Sequence, residues 1–162
     1  MRVQRSTLAA AAACAVAIAV YALWPKGDDS PEARIRQRVM EMADAAEQRK
    51  VGFIVDQLSE RFRTKTGEGK EEVRGIILAQ VLRGDFVRVF PLDLEVTLTG
   101  PRSADFSGKF VFARSAEKDV KQAAQRGEVT GYRIDGKLEL EAGGEWRFVF
   151  ADHRQLEAAE LF

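Results

Sequence analysis

Beyond residue 30, apolar positions recur first at the spacing of helices and then at the spacing of strands. The first apolar stripe repeats every three or four residues and comprises Ile35, Val39, Met42 and Ala46. Ser30 followed by Pro31 is typical of a helix N-cap and of the first helical residue. This pattern predicts a helix from Pro31 to about Gln48.

Two shorter helices are predicted before the period changes. After a break at Gly52, apolar residues continue at helical spacing through the stretch LSERF, residues 58–62, which predicts the second helix. Glu71 and Glu72 favour the start of a third helix, and Gly84 is typical of its end.

From Phe86 onward the period is two, which predicts four long antiparallel strands. One predicted face of the first strand comprises Phe90, Leu92, Leu94, Val96 and Leu98. Pro91 predicts a bulge or an edge position in this strand, because proline cannot donate a ladder hydrogen bond. The later strands are marked by Phe106, Phe110, Phe112, Tyr132, Ile134, Leu138, Trp146, Phe148 and Phe150. Residues 115–126 interrupt the strands and predict a short helix or an excursion that ends at Gly127.

Strand register decides which of two turns joins the last two strands. A two-residue turn at Asp135-Gly136 would place Ile134 opposite Lys137 and mix the two faces, so one long strand is predicted there instead. A three-residue loop at 142–144 pairs apolar with apolar residues. The predicted pairs are Leu140 with Trp146, Leu138 with Phe148, and Glu139 with Arg147.

The N-terminal region is dominated by seventeen consecutive apolar residues, from Leu8 to Trp24. A helix of this length lies at the short end of the range that spans a bilayer. Arg2 and Arg5 precede the run, whereas acidic residues follow it, so the positive-inside rule keeps the N-terminus cytoplasmic. The sequence therefore predicts one transmembrane helix in a bacterial inner membrane, with the remainder of the chain in the periplasm.

A cleaved signal peptide is the alternative interpretation, because a basic start, an apolar stretch and small residues near Ala22 also fit one. In that case the domain is exported and released. The predicted organisation is an anchor or signal at 1–25, a linker at 26–30, a folded domain at 31–152 and a tail at 153–162.

The composition of the chain after residue 30 limits which partners, metals and cofactors can be predicted for the exported domain. Three of the 25 basic and two of the 25 acidic residues lie in the first thirty, so the rest has a net charge near −1 and interspersed signs. This balance argues against a nucleic-acid partner. No cysteine follows Cys14 and His153 is the only histidine, so no metal site is predicted. Residues 66–72, TGEGKEE, lack the spacing of a phosphate-binding loop, and no cofactor is predicted.

The order of elements over residues 31–152 resembles the nuclear-transport-factor-2-like superfamily, which includes the SnoaL-like and cystatin-like cones. Its local marks are LSERF before a glycine loop and the ending GGEWRFVF, residues 143–150. Three helices followed by four strands predict an α+β domain in which the N-terminal helices pack on a curved four-stranded antiparallel sheet. The resemblance implies that this sheet forms a cone, and the predicted transmembrane helix precedes the domain.

The cone of this superfamily often encloses a pocket, and its enzymes, such as ketosteroid isomerase and scytalone dehydratase, place Asp, Tyr or His there. Alternation places Tyr132, Trp146 and Asp152 on the concave face, with Arg88 at the same mouth and His153 on the opposite face. Asp152 is expected opposite Ile134 and diagonal to Tyr132. These four residues are the candidate pocket residues; no catalytic residue is predicted.

The sequence favours a membrane-anchored periplasmic binding or assembly module without catalysis, whose partner is an envelope protein or a second copy of the chain. The resemblance supports this because the inner-membrane assembly factor of type IV secretion shares the cone. The alternative is a SnoaL-like enzyme or a binder of a small apolar ligand, which requires a cavity lined by Asp152.

Overall fold

A computed structural model describes residues 29–84, 86 and 88–161. Helix α1, Pro31–Glu47, begins where predicted, with the Ser30 hydroxyl accepting a hydrogen bond from the Ala33 amide at 3.2 Å. Its buried stripe consists of Ile35, Val39 and Ala43 with the neighbouring Ala45. The amphipathic pattern therefore identified both the helix and the face that packs on the sheet.

The second helix is shorter than predicted, and the stretch LSERF is a strand. Helix α2 spans Val51–Asp56, and strand β1 spans Leu58–Thr64. Leu58 and Phe62 are both buried, at 6% and 2% exposure. Residues four positions apart share a face in a helix and also in a strand, so their spacing could not distinguish the two structures.

Helix α3, Lys70–Arg83, follows a turn and ends at Gly84, whose φ of 68° is left-handed and favours glycine. This helix buries little of its surface. Val81 is 7% exposed, whereas Ile76, Leu78 and Leu82 are 51%, 45% and 76% exposed. The helix therefore covers the sheet loosely.

The sheet has five strands in the order β1-β5-β4-β3-β2. The other four strands are β2, Arg88–Gly100; β3, Ser103–Ala113; β4, Val129–Leu140; and β5, Trp146–Leu156. β1 pairs in parallel with β5, and all other pairs are antiparallel. The prediction of a four-stranded, wholly antiparallel sheet is therefore wrong, because LSERF adds a parallel edge strand.

The predicted register at the last hairpin is confirmed. Leu140 pairs with Trp146, Leu138 with Phe148, and Glu139 with Arg147. β4 runs unbroken through Asp135 and Gly136, as predicted from the alternation of its apolar and polar residues. The excursion after β3 contains helix α4, Val120–Gln125, and ends at Gly127 with φ of 71°.

Two irregularities exchange the faces of their strands. In β2 the register shifts between Leu92 and Glu95, around Asp93, whose φ is 50°. In β5 it shifts across Val149, because Leu138 pairs with Phe148 whereas Lys137 pairs with Phe150. One extra residue on one strand moves every later side chain to the other face. The predictions that Phe90 to Leu98 and Trp146 to Asp152 each share one face are therefore wrong.

These shifts produce two apolar clusters. The larger lies between the helices and the concave face and includes Ile35, Val39, Phe62, Phe106 and Phe148. The smaller, on the convex face, consists of Val111, Leu156 and Leu161 with Phe90 and Leu92 packed against it. β5 includes residues 153–156, which belong to the predicted tail, and a short 3-10 helix, Ala158–Glu160, returns Leu161 to the sheet.

In the part of the chain that the structure describes, no helix is long and apolar enough to span a membrane. The predicted span from Leu8 to Trp24 lies outside the described residues.

Candidate functional site

A cavity of about 330 Å³ lies between the helices and the concave face of the sheet. Helix α1 contributes Met42 and Ala46 to one wall, and the sheet contributes a floor rich in phenylalanine. The floor residues from β3, β4 and β5 are Phe106, Phe110, Phe112, Ile134, Phe148 and Ala151. The volume is within the range of small-molecule sites, which start at about 300 Å³.

Helix α3 forms the remaining wall of the cavity and borders its opening to solvent. Val73, Ile77 and Val81 are spaced four residues apart, so they share the helix face that lines the cavity. Ile76 and Gln80 line it as well, although both are exposed. The cavity therefore reaches solvent beside α3.

The lining is almost entirely apolar. Among the described residues that line the cavity, Gln80 is the only one with a polar side chain, and none is charged. A charged ligand would lose its hydration there without gaining a counter-ion, which is strongly unfavourable. A neutral apolar ligand would bury its surface at a gain of about 25 cal/mol per Å². The electrostatics of the cavity thus select for neutral ligands.

Asp152 does not line this cavity. It pairs with Asp135 rather than with Ile134, because the bulge at Val149 turns it to the convex face. Its carboxylate accepts a hydrogen bond from Lys65 Nζ at 2.8 Å, and this bond holds the pKa of the Asp152 carboxyl below its ordinary value. The predicted position of Asp152, opposite Ile134 and diagonal to Tyr132, is therefore wrong, and the requirement for a cavity lined by Asp152 is not met.

The same bulge turns His153 toward the concave side, so its predicted position on the opposite face is wrong. His153 pairs with Ile134, a residue of the cavity floor, and its ring centroid lies 6.2 Å from that of Tyr132. Tyr132 in turn packs edge-to-face on Phe112, with ring centroids 5.9 Å apart. Tyr132 and His153 thus stand beside the cavity floor without lining the cavity.

Arg88 serves as a link between α1 and β2. Its guanidinium lies 3.2 Å from Glu47 Oε2, and the Val89 amide donates to Glu47 Oε1 at 2.8 Å. These contacts join the last residue of α1 to the start of the edge strand. Arg88 does not line the cavity, although its neighbour Val89 does.

Trp146 lines a separate recess of about 130 Å³ near the β4–β5 hairpin, together with Arg34 and Arg38 from α1. The indole Nε1 is buried and has no hydrogen-bond partner among the described residues. The four candidate residues of the sequence analysis are therefore dispersed over four places in the fold. Within the described residues, no group of His, Cys, Asp and Glu side chains could hold a metal ion.

Two features of the site were missed from the sequence, and each left a trace there. The bulge is signalled by Phe148, Val149 and Phe150, three consecutive apolar residues that strict alternation cannot place on one face. Gln80 is signalled by its position on the apolar stripe of α3, seven residues after Val73.

Comparison with solved structures shows the nuclear-transport-factor-2-like fold. An NTF-2-like protein of unknown function from Shewanella oneidensis superposes with a TM-score of 0.59 at 10% identity, over 76% of this chain and 98% of that chain. A ketosteroid isomerase-like protein from Erwinia carotovora atroseptica gives 0.58 at 14% identity, over 80% and 98%. The hexachlorocyclohexane dehydrochlorinase LinA-type3 from Novosphingobium barchaimii gives 0.54 at 12% identity, over 76% and 84%.

At these identities the likeness concerns the fold, which hosts many functions. No protein-family model matches the sequence, and no curated protein does. The suspected resemblance to this superfamily is confirmed at the level of fold.

Proposed function

We propose that this domain binds a neutral, predominantly apolar small molecule in the cavity between α1, α3 and the sheet, without catalysing a reaction on it. The observation that carries the proposal is the composition of the lining, in which Gln80 supplies the one polar side chain among the described residues. General acid–base catalysis needs a titratable group within hydrogen-bond reach of the ligand, and none of these lining residues is titratable.

The test is a fluorescence titration with N-phenylnaphthylamine, a neutral probe whose emission rises in apolar surroundings. Full-length protein in lipid nanodiscs is compared with empty nanodiscs, which give the signal due to lipid alone. Small ligands of this size bind an apolar pocket with a Kd on the order of 10–100 μM. We expect saturable binding, and displacement of the probe by neutral naphthol but not by naphthoate.

Two matched substitutions assign the signal to the cavity. Ala46→Phe inserts a ring among the lining residues, whereas Ala79→Phe inserts the same ring on the exposed part of α3 that does not line the cavity. We expect Ala46→Phe to abolish saturable binding and Ala79→Phe to leave it unchanged. Equal binding by both variants, or equal displacement by naphthol and naphthoate, would refute the proposal.

We further propose that the run from Leu8 to Trp24 holds the domain at the periplasmic face of the inner membrane. Carbonate extraction of membranes tests the anchor, and protease treatment of intact cells and spheroplasts tests the side. We expect the chain to stay in the membrane pellet and to be digested only in spheroplasts. Release into the supernatant at a mass lacking the first residues would indicate the cleaved signal instead.

A further inference from the structure

Helix α3 is apolar on two sides. Val73, Ile77 and Val81 line the cavity, whereas a second apolar stripe lies on the opposite, exposed side of the helix. This outer stripe recurs at positions i, i+3, i+4 and i+7 and consists of Gly75, Leu78, Ala79 and Leu82. Leu82 has the most exposed large apolar side chain in the described part of the chain, at 76%. Because a helix that is apolar on all sides is typical of a buried position, we expect a second apolar surface to cover the outer stripe.

The linker determines which side of the domain lies next to the membrane. If, as proposed above, the run from Leu8 to Trp24 is the anchor, linker residues 26–30 can span at most about 18 Å. A domain of about 130 residues has a radius of gyration of about 14 Å and is therefore wider than the linker is long. The linker ends at Ser30, the N-cap of α1, and α1 packs on the concave face of the sheet. The helical side of the domain therefore stays next to the bilayer, and the sheet separates the convex face from it.

The exposed apolar surface lies on this helical side. Large apolar side chains are exposed on α1 and α3 at Met40, Ile76, Leu78 and Leu82. The convex face instead exposes charged side chains, among them Glu95, Asp105, Asp135 and Lys137. Contact with lipid would remove the hydration of these charges, which is unfavourable, whereas it would bury the exposed apolar side chains favourably. The side next to the bilayer is therefore also the side whose surface suits lipid.

Two further features of α3 agree with a position at the lipid surface. Arg74 and Arg83 border the outer stripe, and arginines at the edge of an apolar helix face can extend their guanidinium groups to lipid phosphates. Ile76 is exposed and also lines the cavity, so the opening of the cavity lies beside the outer stripe. A bilayer in contact with the stripe would therefore lie against this opening.

We propose that the outer stripe of α3 contacts the lipid surface of the membrane to which the chain is anchored, so that the opening of the cavity faces lipid. This inference rests on the proposed anchor and on the proposed binding function, and it names the bilayer as the phase from which an apolar ligand reaches the cavity.

The experiment measures contact between a fluorescent label and lipid acyl chains. Cys14 is the only cysteine, so a Cys14→Ala background allows a single NBD label at a chosen position of the full-length protein. Ala79→Cys places the label in the outer stripe, and Thr97→Cys places it at an exposed position on the convex face. Each protein is reconstituted in nanodiscs of phosphatidylethanolamine and phosphatidylglycerol, with or without nitroxide groups on the acyl chains, because a nitroxide quenches NBD fluorescence only at short range.

We expect the label at position 79 to emit at a shorter wavelength than the label at position 97 and to lose most of its emission in nitroxide nanodiscs. The label at position 97 should keep its emission. Leu78→Glu with Leu82→Glu, added to the Ala79→Cys protein, should abolish the quenching. Gln122→Glu with Gln125→Glu is the matched control, because it adds the same charge on the exposed surface of α4 and should leave the quenching unchanged. Circular dichroism shows that each variant retains the fold.

The outcomes separate this inference from the two proposals on which it rests. Equal quenching at positions 79 and 97, or quenching at neither, refutes contact of the outer stripe with lipid even if the chain is anchored and N-phenylnaphthylamine binds. A short emission wavelength at position 79 without quenching means that a second copy of the chain covers the stripe, and it also refutes the inference. If the chain does not enter nanodiscs, the proposed anchor and this inference fail together. If position 79 is quenched as expected but N-phenylnaphthylamine does not bind, the lipid contact stands and the proposed binding function fails.

Discussion

The C-terminal tail is predicted to depend on the absence of a side chain at Gly131. Leu161 is 6% exposed and packs with Val111 and Leu156 on the convex face. A Cβ built on Gly131 would lie 2.2 Å from Leu161 Cδ2, which is far inside van der Waals contact. Gly131→Ala therefore requires at least the end of the Leu161 side chain to move.

The size of the effect follows from two opposing contributions. Displacing a buried leucine forfeits about 1.5–3 kcal/mol. Alanine restricts the unfolded chain more than glycine does, which returns about 0.4–1 kcal/mol. Because complete loss of the burial of Leu161 is the upper limit, we expect Gly131→Ala to lower the free energy of unfolding by at most about 2 kcal/mol. In a Leu161→Ala background the steric conflict is gone, so the same substitution should stabilise by about 0.5 kcal/mol.

Urea denaturation of full-length protein, followed by tryptophan fluorescence, measures the four free energies of this double-mutant cycle. Gly143→Ala is the matched control, because a Cβ there would meet nothing within 4 Å, and we expect it to be neutral or slightly stabilising. If Gly131→Ala costs the same with and without the Leu161 side chain, Leu161 does not pack on Gly131 and the described tail position is wrong.

Three further predictions concern helix α3, Asp152 and acid stability. Gly75 lies within α3 with open space around it, so Gly75→Ala should raise the free energy of unfolding by about 0.5–1 kcal/mol in urea denaturation; a loss would contradict a helix there. Asp152→Asn should leave the Kd for N-phenylnaphthylamine unchanged within twofold, because Asp152 lies on the convex face; a tenfold loss would place it at the cavity instead. Hydrogen bonds from Lys70 and Lys65 lower the pKa values of Glu60 and Asp152. The stabilisation from these two ion pairs is therefore complete at a pH above the ordinary pKa values of the two carboxyls, 4.5 for Glu60 and 3.8 for Asp152. It is lost as the pH falls through their lowered pKa values in the folded protein, so the urea midpoint should decline below about pH 4.5. Asp152→Asn should reduce this decline, and an unchanged pH profile would show that the Lys65 contact contributes nothing.

Local signals sufficed for much of the fold. Ser30 and Pro31 marked the start of α1 because capping is decided by adjacent residues. The last hairpin was predictable because only one register places Leu138 and Phe148 on the same face. Gly84 marked the end of α3 because the left-handed conformation that ends a helix favours glycine, and this preference depends on that residue alone.

The errors arose where the structure depends on contacts distant in the chain. LSERF is a strand because β5 offers it a parallel edge, and β5 lies more than eighty residues later. The bulge at Val149 then moved Asp152 out of the predicted site and His153 toward it. The face on which each side chain lies follows from the alternation along its strand. One unrecognised extra residue in β5 was therefore enough to misplace the candidate site.

We propose that the cavity, rather than any other surface of the domain, binds a neutral apolar ligand. Methyl NMR of the full-length protein in nanodiscs tests it most directly, with naphthol as the ligand. We expect saturable shifts and ligand contacts at the methyl groups of Ile77, Val81 and Ile134, which line the cavity, and none at Val111 or Leu161 on the convex face. Unchanged lining methyls, or shifts confined to the convex cluster, would contradict it.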